Sequence, residues 1–328
     1  MQRLNRDEGV SLVLVALSLV ALVGFVGLAI DAGRVFDERR QLSRGADAAV
    51  LAIATDCATG AKPCDDGTAL ATGEEYADAN SEDGASVIDG FELDTDEQRI
   101  WVRTKTIDAD TGTDEFPLVF MAALGIDSTT VHAEAEAVWG YPTGATALPL
   151  IFSDCEWFKL LDPDTGMPDP GEEVTLFFHD GNTTEDCNAQ AGQDSDGDGR
   201  LAGGFGWLDT DGGCSATVYE GDWVGEDPGA SPSTGCSADE LRELLLSGEP
   251  VLVPYFDDVD GLGAGGEYHI IGVGAFIPTG YNFGGQYKEN EPCSGDERCI
   301  SGYFTTDVVD TGDLGGENRG VVIVRLVG

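Results

Sequence analysis

The chain has 328 residues, 41% of them hydrophobic, with 14 Phe, 8 Tyr and 5 Trp, a composition that excludes a disordered tail. Its 61 acidic residues stand against 17 Lys and Arg, a net charge of −44, and such a field repels nucleic acid and excludes a nucleic-acid-binding role. The 46 Gly are scattered rather than periodic, which points to many turns and a strand-rich body.

A short tail, residues 1–9, leads into residues 10–30, VSLVLVALSLVALVGFVGLAI, where no residue is charged. As a helix this run spans about 30 Å, the thickness of a bilayer's hydrocarbon core. It exceeds the apolar region of a cleaved secretory signal, and only Ser11 and Ser18 interrupt it, so it lacks the polar face of a buried core helix. The expectation is a retained membrane anchor. Lys and Arg are two before the run (Arg3, Arg6) and four after it (Arg34, Arg39, Arg40, Arg44), which by the positive-inside rule would leave the body inside. The cysteines point the other way.

Eight of them, an even number, all follow the anchor, and none forms the CxxC pair of a zinc or redox site. Cys57–Cys64 and Cys293–Cys299 would close small loops, with Cys155–Cys187 and Cys214–Cys236 as one compatible pairing of the rest. Disulfides need an oxidising compartment, and long domains translocate largely regardless of flanking charge, so the body is placed outside the cytoplasm.

Residues 31–56 continue the helix, because Val35, Leu42, Ala46, Ala49, Val50 and Ile53 recur at spacings of three, four and seven and line up one apolar stripe. The leader RDEG, the apolar run and the segment IDAGRVFDERRQLSRGADAAVLAIA at residues 30–54 together resemble the N-terminal module of the TadE/TadG-like Flp-pilus assembly proteins of the tight-adherence (Tad) group. Asp31, Gly33, Arg34, Gln41, Leu42, Ala46, Asp47, Ala48 and Ala49 carry the resemblance. Pilin-like members are cut after a Gly and carry Glu five residues on; after Gly9 the fifth residue is Leu14, so the anchor is read as retained, as in TadG-like proteins. The resemblance implies a non-enzymatic, membrane-anchored component of a pilus assembly or secretion apparatus, with other pilus-assembly subunits and the lipid bilayer as partners. The alternative is a tethered surface adhesin or calcium-stabilised binding module.

Beyond the first disulfide loop, residues 68–79 have helical spacing, two strands are expected at 87–93 and 99–106, and a short apolar helix at 116–124 stops at Gly125. Residues 129–138 alternate, with Val131, Ala133, Ala135 and Ala137 inward and His132 outward. Helix, helix and strands in this order resemble the small α/β head on a pilin helix. Thus the fold class is α+β: a membrane-spanning helix, a pilin-like head at 57–140, a linker at 141–147 and a β-rich domain at 148–328. Strands are expected there at 148–152, 174–178, 251–256, 269–277 and 321–327. Pro254 marks an edge strand or a bulge. A capping box, Ser237 with Glu240, opens a helix over 238–247 that Gly248 closes. GGFGWLD at 203–209 and GYF at 302–304 resemble the C-terminal part of TadG-related proteins; Phe205, Trp207 and Leu208 are read as packing residues.

Asp194, Asp196 and Asp198, at alternate positions with Gly197 and Gly199 to let the loop wrap, suit an oxygen-coordinated calcium ion, with Asp209 or Asp211 completing the set because an EF-hand's closing Glu is replaced by Phe205. Catalysis finds little support. His179 lies beside Asp180 and His269 in an apolar strand, but there is no G-x-S-x-G or H-E-x-x-H.

Overall fold

The computed structural model describes the chain except residues 1–5, 82–85, 109–110, 162–167, 170, 179–186, 189–199, 202–204, 230, 261–264, 310–311 and 328. It forms two compact units, Met1–Val138 with Arg325–Gly328, and Trp139–Val324.

The first unit is organised on α1 (Arg6–Thr59), 54 residues and therefore about 80 Å long. Its first half is bare: Leu12, Leu17, Val20, Leu22 and Phe25 are exposed. Its second half buries Leu42, Ala46, Ala49, Val50 and Ile53, the stripe seen in the sequence. α2 (Asp66–Ala79) begins two residues earlier than the periodicity suggests, because Asp65 caps it, its carboxylate accepting from the N–H groups of Gly67 and Thr68. Three antiparallel strands follow: β1 (Ser86–Asp94), β2 (Arg99–Thr106) and, beyond a short pair formed by β3 (Phe116–Pro117) and β4 (Ser128–Thr129), β5 (His132–Gly140). α1 lies against β2, where Thr104 Oγ1 donates to the Leu42 carbonyl at 3.0 Å, and α2 lies against β1. The C-terminal tail returns here, Val327 N–H donating to the Glu136 carbonyl.

The expected helix at 116–124 is corrected. Residues 116–117 are strand and only Met121–Leu124 is helical, as a single 3-10 turn, ended by Gly125 in the left-handed region at φ 83°. Pro117 supplies no N–H, and the N–H groups of Val119, Phe120 and Met121 are drawn to a side chain on α1, while Ala123, Gly125 and Ile126 donate to carbonyls of the turn itself.

In the second unit, β6 (Gly144–Ala147) occupies most of the stretch read as a linker, and the division of the chain falls instead at Val138/Trp139. Gly144 reads as a breaker, yet it is needed within the strand: a Cβ there would come within 2.4 Å of the Val218 carbonyl on the paired strand. Then come β7 (Leu150–Ser153), α3 (Asp154–Leu160), β8 (Val174–Phe177), β9 (Cys187–Asn188), β10 (Arg200–Leu201), β11 (Phe205–Trp207), β12 (Ala216–Tyr219), β13 (Trp223–Gly225), α4 (Ala238–Leu245), β14 (Val251–Asp260), β15 (Glu267–Gly284), β16 (Tyr287–Glu289), β17 (Cys299–Thr305), β18 (Asp307–Val309) and β19 (Val321–Leu326), which runs into the first unit's tail.

The main sheet runs β11-β7-β14-β15-β17-β8, and its two ends meet at a bridge between Phe178 and Phe205. The sheet therefore curls onto itself around an aromatic interior, where Phe152, Trp157, Phe205, Trp207, Tyr255, Phe276, Phe283 and Phe304 pack. Their contacts are mostly edge-to-face, for instance Trp207 on Phe283 at 5.0 Å and 87°. β14 is an interior strand, not an edge. Pro254 is accommodated because the parallel ladder with β7 starts only at Tyr255, and the register against β15 shifts at Tyr255/Phe256. α4 is capped by Ser237 as expected, but the reciprocal half of the box is absent: Glu240 Oε1 accepts from the Cys214 N–H at 3.3 Å.

Candidate functional site

α1 carries two surfaces in series, and the change between them occurs within one turn. From Leu12 to Ile30 the large side chains are exposed except Leu28, which is half-buried. Gly27 and Asp31, four residues apart and so on one face, are buried, and this face continues into the packed stripe below. Asp31 is 0% exposed, although it directly follows an uncharged stretch of 21 residues. Its carboxylate accepts three backbone hydrogen bonds, from Val119 N–H (3.0 Å to Oδ1) and from Phe120 and Met121 N–H (both 2.7 Å to Oδ2). Those are the orphan donors of the 3-10 turn, so a side chain on α1 caps a turn nearly ninety residues away in sequence. One turn to either side, the same helix face fits the same segment. At Gly27 a Cβ would meet the Phe120 ring at 2.6 Å. Arg34 Nη1 donates to the Pro117 carbonyl at 3.1 Å, with its guanidinium 5.1 Å from the Phe116 ring centre.

Asp31 and Arg34 were visible in the sequence as resemblance-bearing residues, but not their role. The signal available was a carboxylate flush against the end of an apolar run, a costly placement unless something satisfies it.

Disulfides join Cys57–Cys64, Cys214–Cys236 and Cys293–Cys299. Cys155 is also disulfide-bonded, and the side chain of Cys187 lies outside the described residues. Asp194, Asp196 and Asp198 fall outside them too, as does His179. Asp209 is exposed, and among the described residues no group of three or more His, Cys, Asp or Glu could hold a metal. Phe205, Trp207 and Leu208 are fully buried, a packing role.

His132 is exposed, 3.8 Å from Asp89. His269 Nδ1 lies 2.6 Å from Asp257 Oδ1, and its ring stands 5.1 Å from that of Trp223. Such a pair could orient a base, but no described hydrogen bond joins this ring to a hydroxyl or thiol, and no described cysteine is free. The sequence did not show a buried ion pair in the same unit, Arg319 with Asp154, beneath which Tyr255 packs with Arg319 5.7 Å from its ring centre. Burial pushes the Asp154 carboxyl up, and Arg319 opposes that. Tyr255 is pushed well above its ordinary value, again by burial. Both groups are sequestered from solvent, so the arrangement braces the unit.

No curated protein and no solved structure matches the chain. Residues 9–56 match the Tad family, described as Flp pilus-assembly TadE/G-like. The match begins at the leader's Gly9, takes in the exposed apolar run, Asp31 and Arg34, and ends within the packed stripe, three residues short of the end of α1. Over residues 9–56, then, the protein's first helix is similar to the TadE/G-like Flp pilus-assembly family.

Proposed function

We propose that this protein is a non-enzymatic, single-pass component of a Tad-type Flp pilus assembly or secretion apparatus, held in the cell membrane by residues 10–30 with its body on the extracytoplasmic side. One observation carries the reading: the family match coincides with a helix that is bare and apolar in its first half and packed in its second. A helix of that length and composition is suited to crossing a bilayer. The disulfides favour an oxidising location for the body. The first unit serves as a pilin-like head, and the anchor meets lipid and the helices of other pilus-assembly subunits. A net charge of −44 keeps nucleic acid from its partners.

The test is a chromosomal deletion with complementation. Loss of surface pili on deletion, restored by the full chain but not by a chain lacking residues 10–30, supports the proposal. Unchanged piliation on deletion sinks it, and favours the second reading of a tethered adhesin or binding module. Under either reading Asp194, Asp196, Asp198 and Asp209 are proposed as a structural calcium site.

A further inference from the structure

We propose that residues 116–126 form a second membrane contact, a short apolar foot seated in the bilayer beside the body-side end of the anchor. The inference rests on the anchoring reading above, and extends it to a part of the chain outside the family match.

The segment reads FPLVFMAALGI, eleven residues without charge, bounded by Asp114 and Glu115 on one side and Asp127 on the other. Leu118 is buried and Phe116 half-buried, but four of its large apolar side chains face outward. Val119 is 62% exposed, Phe120 41%, Leu124 70% and Ile126 45%. A contiguous cluster of this kind on one turn marks an interaction surface.

Its height on α1 decides what it meets. Phe120 lies against Gly27, three residues before the apolar run ends, hence about 4.5 Å inside the hydrocarbon boundary set by Ile30. The foot and the anchor therefore pass from charged to apolar at the same level, and that shared level selects lipid over a water-borne partner.

The backbone is prepared for this setting, in which water is scarce and unpaired N–H groups are costly. Asp31 takes the N–H groups of Val119, Phe120 and Met121; Leu118 donates to the Asp127 carbonyl, and Gly125 and Ile126 donate within the turn. Arg34 completes the pattern. Its guanidinium holds the Pro117 carbonyl and the Phe116 ring one turn beyond Asp31, an arginine and an aromatic ring of the kind that favour the headgroup level of a membrane.

The test uses the full chain in phosphatidylcholine vesicles, with an environment-sensitive fluorophore on one introduced cysteine, attached without reductant to spare the disulfides. The positions are Leu124→Cys in the foot, Leu22→Cys in the anchor and Thr111→Cys on an exposed loop. The foot predicts a blue-shifted emission at 124 that nitroxide lipids quench, more strongly with the nitroxide near the headgroup than at the bilayer centre. Position 22 shows the opposite depth order, and position 111 responds only to aqueous iodide. Adding Asp31→Ala releases the turn and lowers lipid quenching at 124 at least twofold, with position 22 unchanged.

A probe at 124 reached by iodide and untouched by lipid quenchers, with 22 still quenched deeply, overturns the foot and leaves the anchor standing. Shielding at 124 from both quenchers also overturns it, and points to a protein cover such as a second copy. Absence of deep quenching at 22 defeats the anchoring reading itself.

Discussion

Removing the Cys214–Cys236 disulfide is the most direct test of what braces the second unit. Both half-cystines are buried, and the backbone of each is engaged as well: Cys214 N–H donates to Glu240, and the Cys236 carbonyl accepts from the Tyr287 hydroxyl at 3.1 Å. Alanine keeps both backbone bonds, so Cys214→Ala/Cys236→Ala isolates the cross-link. The sequence separation is 22, and the chain-entropy relation for that loop gives about 3.4 kcal/mol of stabilisation lost. The Cys293–Cys299 bridge spans 6 residues, and the same relation gives about 2.2 kcal/mol. The assay is guanidinium unfolding of the full chain in detergent, followed by the fluorescence of the buried Trp157 and Trp207, with the slope compared among variants. The first variant should unfold at clearly lower denaturant than the second. Loss of less than about 1 kcal/mol at 214/236, or a larger loss at 293/299, would refute the loop-entropy argument.

Further outcomes follow from particular contacts and from the proposed calcium site. Trp207→Ala empties a fully buried site between Phe205 and Phe283 and should cost about 3–5 kcal/mol in the same assay. Arg319→Met should cost about 3–5 kcal/mol by leaving Asp154 buried and unpaired, whereas adding Asp154→Leu should recover most of that loss. Because burial already raises Asp154, the folded form of Arg319→Met binds a proton more tightly than the unfolded chain, so this variant's deficit should shrink as pH falls, which unfolding across a pH series measures. Asp65 is held below its ordinary value first by the Thr68 N–H, then by the Thr68 hydroxyl and the Gly67 N–H; its cap therefore stabilises α2 above the unfolded carboxylate value of about 3.9 and fades as pH falls through the folded one. Hydrogen exchange in α2 should show this loss at acid pH, and Asp65→Ala should abolish the pH dependence. Chelation should lower the melting temperature of the second unit if residues 194–209 hold calcium, and an unchanged melt removes that site.

Some features were readable in the sequence because their causes are local. The apolar run, the stripe from Leu42 to Ile53, the alternation of β5 and the Ser237 cap each depend on neighbours a few residues apart, and each stands where its pattern placed it. What was misread depended on distant partners. The segment entering the turn at 121–124 donates its N–H groups to Asp31, and Gly144 sits in a strand where Val218 approaches it; Pro254, read as an edge strand or a bulge, lies inside the sheet beside the register shift at Tyr255/Phe256, which bears out the bulge.

The amino-acid order by itself settled that one helix begins bare and ends packed, since a window of uncharged residues and a periodic stripe carry their own meaning. Only the tertiary structure decided that Asp31 faces inward to an apolar turn far along the chain, that the sheet closes between Phe178 and Phe205, and that Arg319 finds Asp154. The physical reason is that a polar group's worth depends on which partner satisfies it, and that partner is chosen by the fold rather than by the neighbouring sequence.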